Sequence, residues 1–96
     1  MKEPKNSPSS DSRTRTSIRV YGQEYVVRSA YSSRQIKDIG AYVDKKMREI
    51  DNRSPNLTLT RLAVLTSLNI ADELFRLKDD YEALLKVIEE EKKSLG

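Results

Sequence analysis

The chain reads as a mostly helical α+β protein. An N-terminal β-hairpin and a short helix form a head, and one long C-terminal helix forms a coiled coil with other chains. Three features carry that reading. Two short strand-like segments flank Gly22-Gln23, a capped amphipathic pattern starts at Ser32, and no proline or glycine falls between Pro55 and Gly96. A breaker-free stretch of that length sustains a helix of about 55 Å at 1.5 Å per residue. The front half of a 96-residue chain cannot cover it.

Residues 1–16 hold four basic and two acidic side chains, two prolines and four serines, with Met1 the one apolar side chain besides the prolines. Such a segment cannot bury enough surface to offset its ordering entropy, and it is read as a disordered tail. No apolar core follows its charges, which excludes a secretory signal. Residues 17–57 make the head. In Ser17–Gly22, Ile18 and Val20 alternate with Arg19 and Tyr21, and Glu24–Ser29 follows as a second strand. Gly22-Gln23 between them fits a two-residue loop, with glycine supplying the positive φ that opens a type II′ turn. An isolated hairpin is marginal in water, so this one needs a helix or another hairpin to lie on. Ser32 and Gln35 have the spacing of a capping box, and Tyr31 and Ile36 that of a hydrophobic staple. Ile36, Ile39, Val43, Met47 and Ile50 then recur at helical spacing as a core-facing stripe. Ser54-Pro55 ends this helix.

Thr58 opens the second helix, and residues 58–96 form the stem. Between Leu62 and Phe75, nine of fourteen residues are apolar and they surround most of the helix, so it must be buried on several sides. A partner chain has to cover it. From Ala63 a second rhythm steps by fours and threes through Ile70, Leu74, Leu77, Tyr81, Leu84 and Ile88, the seam of a coiled coil. Glu73, Asp80, Lys78 and Lys92 flank it where pairing charges usually stand. The expected oligomerisation residues are Leu62, Leu65, Leu68, Ile70, Leu74, Leu77, Tyr81, Leu84 and Ile88. Leu85 and Val87 widen the seam beyond two stripes, which points past a homodimer toward a homotetramer as the alternative assembly.

Histidine and cysteine are both absent, which removes the usual acid–base and thiol catalysts and the thiolate metal ligands. No phosphate-binding glycine loop, calcium loop or zinc spacing occurs. The expectation is a protein with no catalytic residue, no cofactor and no metal. No run approaches the roughly 18 apolar residues a membrane span needs, and the lack of cysteine suits a reducing cytoplasm. Charge is polarised. Residues 1–16 carry a net +2, residues 17–61 a net +4 and residues 62–96 a net −3. A basic front suits an acidic protein partner, and it is sparse for a nucleic-acid footprint. Two other classes fit the same pattern: a small dimeric DNA-binding regulator of the antitoxin type, and a generic coiled-coil adaptor. The first should show a dense basic face on the strands, where Arg19 and Arg28 stand with Glu24 between them.

Three blocks, Val20-Tyr21-Gly22-Gln23, Ala41 to Ile50 and Leu62 to Leu74 (which contains Leu-Asn-Ile-Ala-Asp-Glu-Leu), resemble the cell-division protein ZapA family in order and spacing over residues 17 to about 85. The resemblance implies a bacterial cytoplasmic protein at the mid-cell division ring. Such a protein binds FtsZ, the tubulin-like GTPase, and bundles its filaments as a dimer or tetramer joined through the long helix. In such relatives basic residues follow the hairpin glycine and lie at the end of the first helix and in the loop after it, where this chain has Gln23, Asp51 and Pro55. Arg48, Arg53 and Arg61 are the expected substitutes, with Lys45 and Lys46 as additions. Asn69 is expected to make a buried polar contact between helices.

Overall fold

The computed structural model describes residues 13–95, which form two antiparallel strands and two helices. Strand β1 spans Thr14–Val20 and β2 spans Gln23–Ser29, paired from Thr14 opposite Ser29 to Val20 opposite Gln23. Helix α1 covers Ser33–Arg53 and α2 covers Leu59–Leu95. The expected α+β head-and-stem architecture is present.

Two boundaries differ from expectation. The strand begins at Thr14, and Thr16 is buried, so the tail boundary at residue 16 falls inside the sheet. Residues 1–12 of that tail lie outside the described residues. The turn sits one residue earlier than Gly22-Gln23. Its two central residues are Tyr21 at φ 50° and Gly22 at φ 80°. Positive φ at both positions belongs to a type I′ turn, whose twist matches the strands. Tyrosine is an unusual first residue for that turn, and its contacts with α1, described below, hold it there.

Helix α1 starts on the expected capping box. The Ser32 hydroxyl accepts from the Gln35 N–H at 3.2 Å, and the Gln35 side chain accepts from the Ser32 N–H at 3.0 Å. The buried face of α1 is Ile36, Gly40, Met47 and Ile50, with Val43 half-buried. Gly40 occupies a core position and Ile39 is left about half exposed. The reason is closeness: a methyl on Gly40 would lie 3.2 Å from the Ile18 side chain, so β1 crosses α1 where the helix has no side chain. Met47, Ile50 and Leu62 form the main cluster, with Val20, Tyr21, Val43 and Leu57 packed on it. Leu57 and Leu62 thus meet around the first turn of α2, where the Thr58 hydroxyl accepts from the Arg61 N–H. Asn56 takes φ 73° in the loop between the helices, a conformation asparagine tolerates better than most residues.

Candidate partner-binding site

Helix α1 carries a polar stripe on each side of its apolar face, and each stripe fastens a different element. Asp44, Arg48 and Asp51 recur at i, i+4, i+7 and meet the hairpin tip. The Tyr21 N–H donates to Asp44 at 2.6 Å, and the Tyr21 hydroxyl donates to Asp51 at 2.7 Å. The Arg48 Nε donates to Asp44 at 2.9 Å while its guanidinium lies 5.5 Å from the centre of the Tyr21 ring. The Arg48 hydrogen bond and the Tyr21 N–H hold Asp44 below the usual carboxylate range. Donation to Asp51, with desolvation, holds the Tyr21 hydroxyl above its ordinary value. Tyr21, Gly22, Arg48, Asp51 and Asn52 line a polar recess at this corner.

The opposite stripe is Tyr42, Lys46 and Glu49, and it reaches α2. The Tyr42 hydroxyl donates to Glu73, Lys46 pairs with the same carboxylate, and the Lys46 ammonium lies 5.4 Å from the Tyr42 ring centre. Lys46 also approaches Glu49 at 3.7 Å. The Lys46 and Tyr42 hydrogen bonds hold Glu73 below its ordinary range, and Glu73 raises Lys46 in turn.

The expected basic corner is therefore divided. Arg48 faces the hairpin and Lys46 faces α2, each already paired. Arg53 closes α1, five residues beyond Arg48 and so about 140° around the helix at 3.6 residues per turn. Arg61 lies on the first turns of α2, beside a shallow groove with Leu57, Thr60, Val64 and Leu65. Lys45 is exposed. Arg53, Arg61 and Lys45 make no ion pair among the described residues. On the outer face of the hairpin Arg15 stands opposite Arg28, and Arg19 opposite Glu24.

Leu62 is corrected from its expected interface role. It is 1 % exposed within a single chain, because the first turns of α2 lie on Met47 and Ile50. It belongs to the head core. Leu65, Leu68, Leu74, Leu77, Tyr81, Leu84 and Ile88 are exposed and Ile70 is half-buried. Glu73 is also not a free pairing charge, since it is held within the chain. Asn69 is half-buried. Tyr42, Asp44 and Asp51 had no place among the expected site residues, and Glu73 had one only as a pairing charge beside the seam. Their signal was the i, i+4 spacing of Asp44 to Arg48 and of Tyr42 to Lys46.

A hairpin-and-helix head running into one long helix, with the apolar seam of that helix uncovered by its own chain, defines a head-and-stem protein of the coiled-coil class. The sequence model of the cell division protein ZapA family matches residues 16–95. A cell division protein ZapA from Geobacillus kaustophilus is 42% identical over 80 residues, spanning 83% of this chain and 88% of that protein. One from Shouchella clausii is 44% identical over 72 residues, spanning 75% and 92%. Among solved structures, a ZapA mutant dimer from Geobacillus stearothermophilus matches with a TM-score of 0.64 at 36% identity, over 93% of this chain and 99% of that one. The chain belongs to the cell division protein ZapA family. No helix among the described residues is long and apolar enough to cross a membrane.

Proposed function

We propose that this protein is a non-enzymatic division factor that self-associates through α2 and uses its heads to bind FtsZ and cross-link FtsZ filaments at the cytoplasmic division site. One observation carries the self-association. From Ser67 to Leu95 every residue is exposed in the single chain except Asn69, Ile70 and Glu73, which are half-buried. Leu68, Leu74, Phe75, Leu77, Tyr81 and Leu84 are each more than half exposed. Bare apolar surface of that extent marks an association face, and the solved relative is a dimer.

The grip is assigned to those of the expected basic residues that the fold leaves without ion pairs, Arg53, Arg61 and Lys45, together with the exposed part of Arg48. Lys46 is engaged by Glu73 and contributes through the head's shape. One head binds weakly. A second head on the same assembly meets a neighbouring subunit at high effective concentration, so valence turns weak contacts into a firm bridge.

Co-sedimentation with GTP-polymerised FtsZ tests this. The chain should pellet with filaments and thicken them into bundles in negative-stain images. A chain that stays in the supernatant at micromolar concentrations, while folded and dimeric, overturns the FtsZ assignment. A folded monomer at those concentrations in sedimentation equilibrium overturns the self-association.

A further inference from the structure

We infer that Tyr42, Lys46 and Glu73 form a clasp that fixes the angle between head and stem. The covered face of α2 is one strip, running from Leu62 through buried Thr66 and half-buried Asn69 and Ile70 to Glu73. At its near end lies the apolar cluster of Met47, Ile50 and Leu62 next to the connecting loop. At its far end lies the polar contact at Glu73, eleven residues along α2 and so about 16 Å away. Beyond Glu73 every described residue of α2 is exposed, so this carboxylate is the last half-buried point before the free stem. A directional contact at the far end of the strip has the longest lever on the angle between the helices.

The chemistry of the far end suits that task. The carboxylate takes a hydroxyl donor and an ammonium at once, and the ammonium also lies over the ring that carries the hydroxyl. Tyr42 and Lys46 are one helical turn apart, so both reach Glu73 only when α1 lies in one orientation against α2. The apolar cluster sets no comparable direction, because hydrophobic contact is not directional. Glu73 also stands beside Leu74 of the coiled-coil seam. The clasp therefore links the head's orientation to the helix face along which the chains pair. In the role proposed above, on which this last link rests, a fixed angle gives the heads of one assembly a defined spacing for the filaments they bridge.

Spin labels on the exposed Arg28 of the hairpin and Glu82 of the stem, in full-length chain diluted into unlabelled protein, read the angle by pulsed dipolar spectroscopy. The wild type should give one narrow distance. Glu73→Gln and Tyr42→Phe should each broaden it, and the exchange Lys46→Glu/Glu73→Lys should restore a narrow peak. Circular dichroism shows that the variants remain folded. A peak equally narrow in Glu73→Gln and Tyr42→Phe overturns the clasp, as does failure of the exchange to narrow a broadened peak. In bundles, Glu73→Gln should scatter the filament-to-filament spacing. A spacing as regular as the wild type, with a broadened label distance, overturns the role in bridging. If the wild type does not pellet with FtsZ, the partner assignment falls by itself, and the label distances still decide the clasp.

Discussion

Tyr21 shows how much of the head rests on single side chains. Its φ of 50° lies in the left-handed region, which costs an L-residue roughly 1–2 kcal/mol. Its N–H, its hydroxyl and its ring are all engaged by α1, so the strained turn is also the hairpin's anchor. Gly40 is the complementary case, where absence of a side chain lets Ile18 approach. Gly40→Val is expected to lower head stability by about 1–3 kcal/mol through overpacking, read as a shift in the urea midpoint. Combining it with Ile18→Ala should recover part of the loss, since two groups competing for one space are coupled. Neither role was legible in the sequence. A Tyr-Gly pair is a weak type I′ signal beside the usual Asn-Gly. A glycine in a helix reads as a propensity defect of about 1 kcal/mol until the crossing strand is known.

At the scale of elements the sequence was far more informative, because caps and periodicity are local. Ser32 with Gln35 announced the start of α1, and the breaker-free run after Pro55 announced α2. Leu62 was misplaced since periodicity identifies an apolar face without saying whether its own chain or a partner covers it. The correction is measurable. Leu62→Ala should cost about 2–5 kcal/mol of head stability, whereas Leu77→Ala should weaken association and leave the hairpin's amide protection unchanged. The two polar stripes of α1 make a pH prediction. Asp44 and Glu73 are held below their ordinary ranges in the fold, so their stabilisation is complete above the normal carboxylate range and is lost as pH falls through the depressed values. Lys46, Tyr21 and Tyr42 are raised, so their share is complete below their ordinary ranges and is lost as pH rises through the raised values. Urea midpoints should form a plateau across neutral pH. Asp44→Asn and Glu73→Gln should each lower that plateau and flatten its acid limb, and an acid limb unchanged by both would assign it to other carboxylates.

The whole molecule is polarised along its length, with a basic front and an acidic stem, and the proposed grip falls to the basic end. Replacing Leu84 and Ile88 by serine should reduce a tetramer to a dimer in sedimentation velocity while the head's melting transition stays in place. The grip is the finer matter, because the fold does not treat the basic residues alike. Arg53 and Arg61 make no ion pair among the described residues, so Arg53→Glu and Arg61→Glu should leave thermal stability within about 0.5 kcal/mol, as surface changes usually do. Arg48 is bound to Asp44 and lies over the Tyr21 ring. Arg48→Glu would set a third carboxylate beside Asp44 and Asp51, so it should loosen the hairpin as well as weaken any grip. A loss of binding in that variant alone is therefore ambiguous, and the Arg53 and Arg61 reversals are the diagnostic ones. If the grip is electrostatic, the paired reversal Arg53→Glu/Arg61→Glu should abolish co-sedimentation with FtsZ at unchanged circular dichroism and unchanged mass. Raising salt should mimic it, because exposed charges more than about 10 Å apart are largely screened at 0.1 M, while the apolar stem persists. Co-sedimentation that survives both treatments would move the site to the outer face of the hairpin, where Arg15 and Arg28 stand opposite one another and Val26 is exposed.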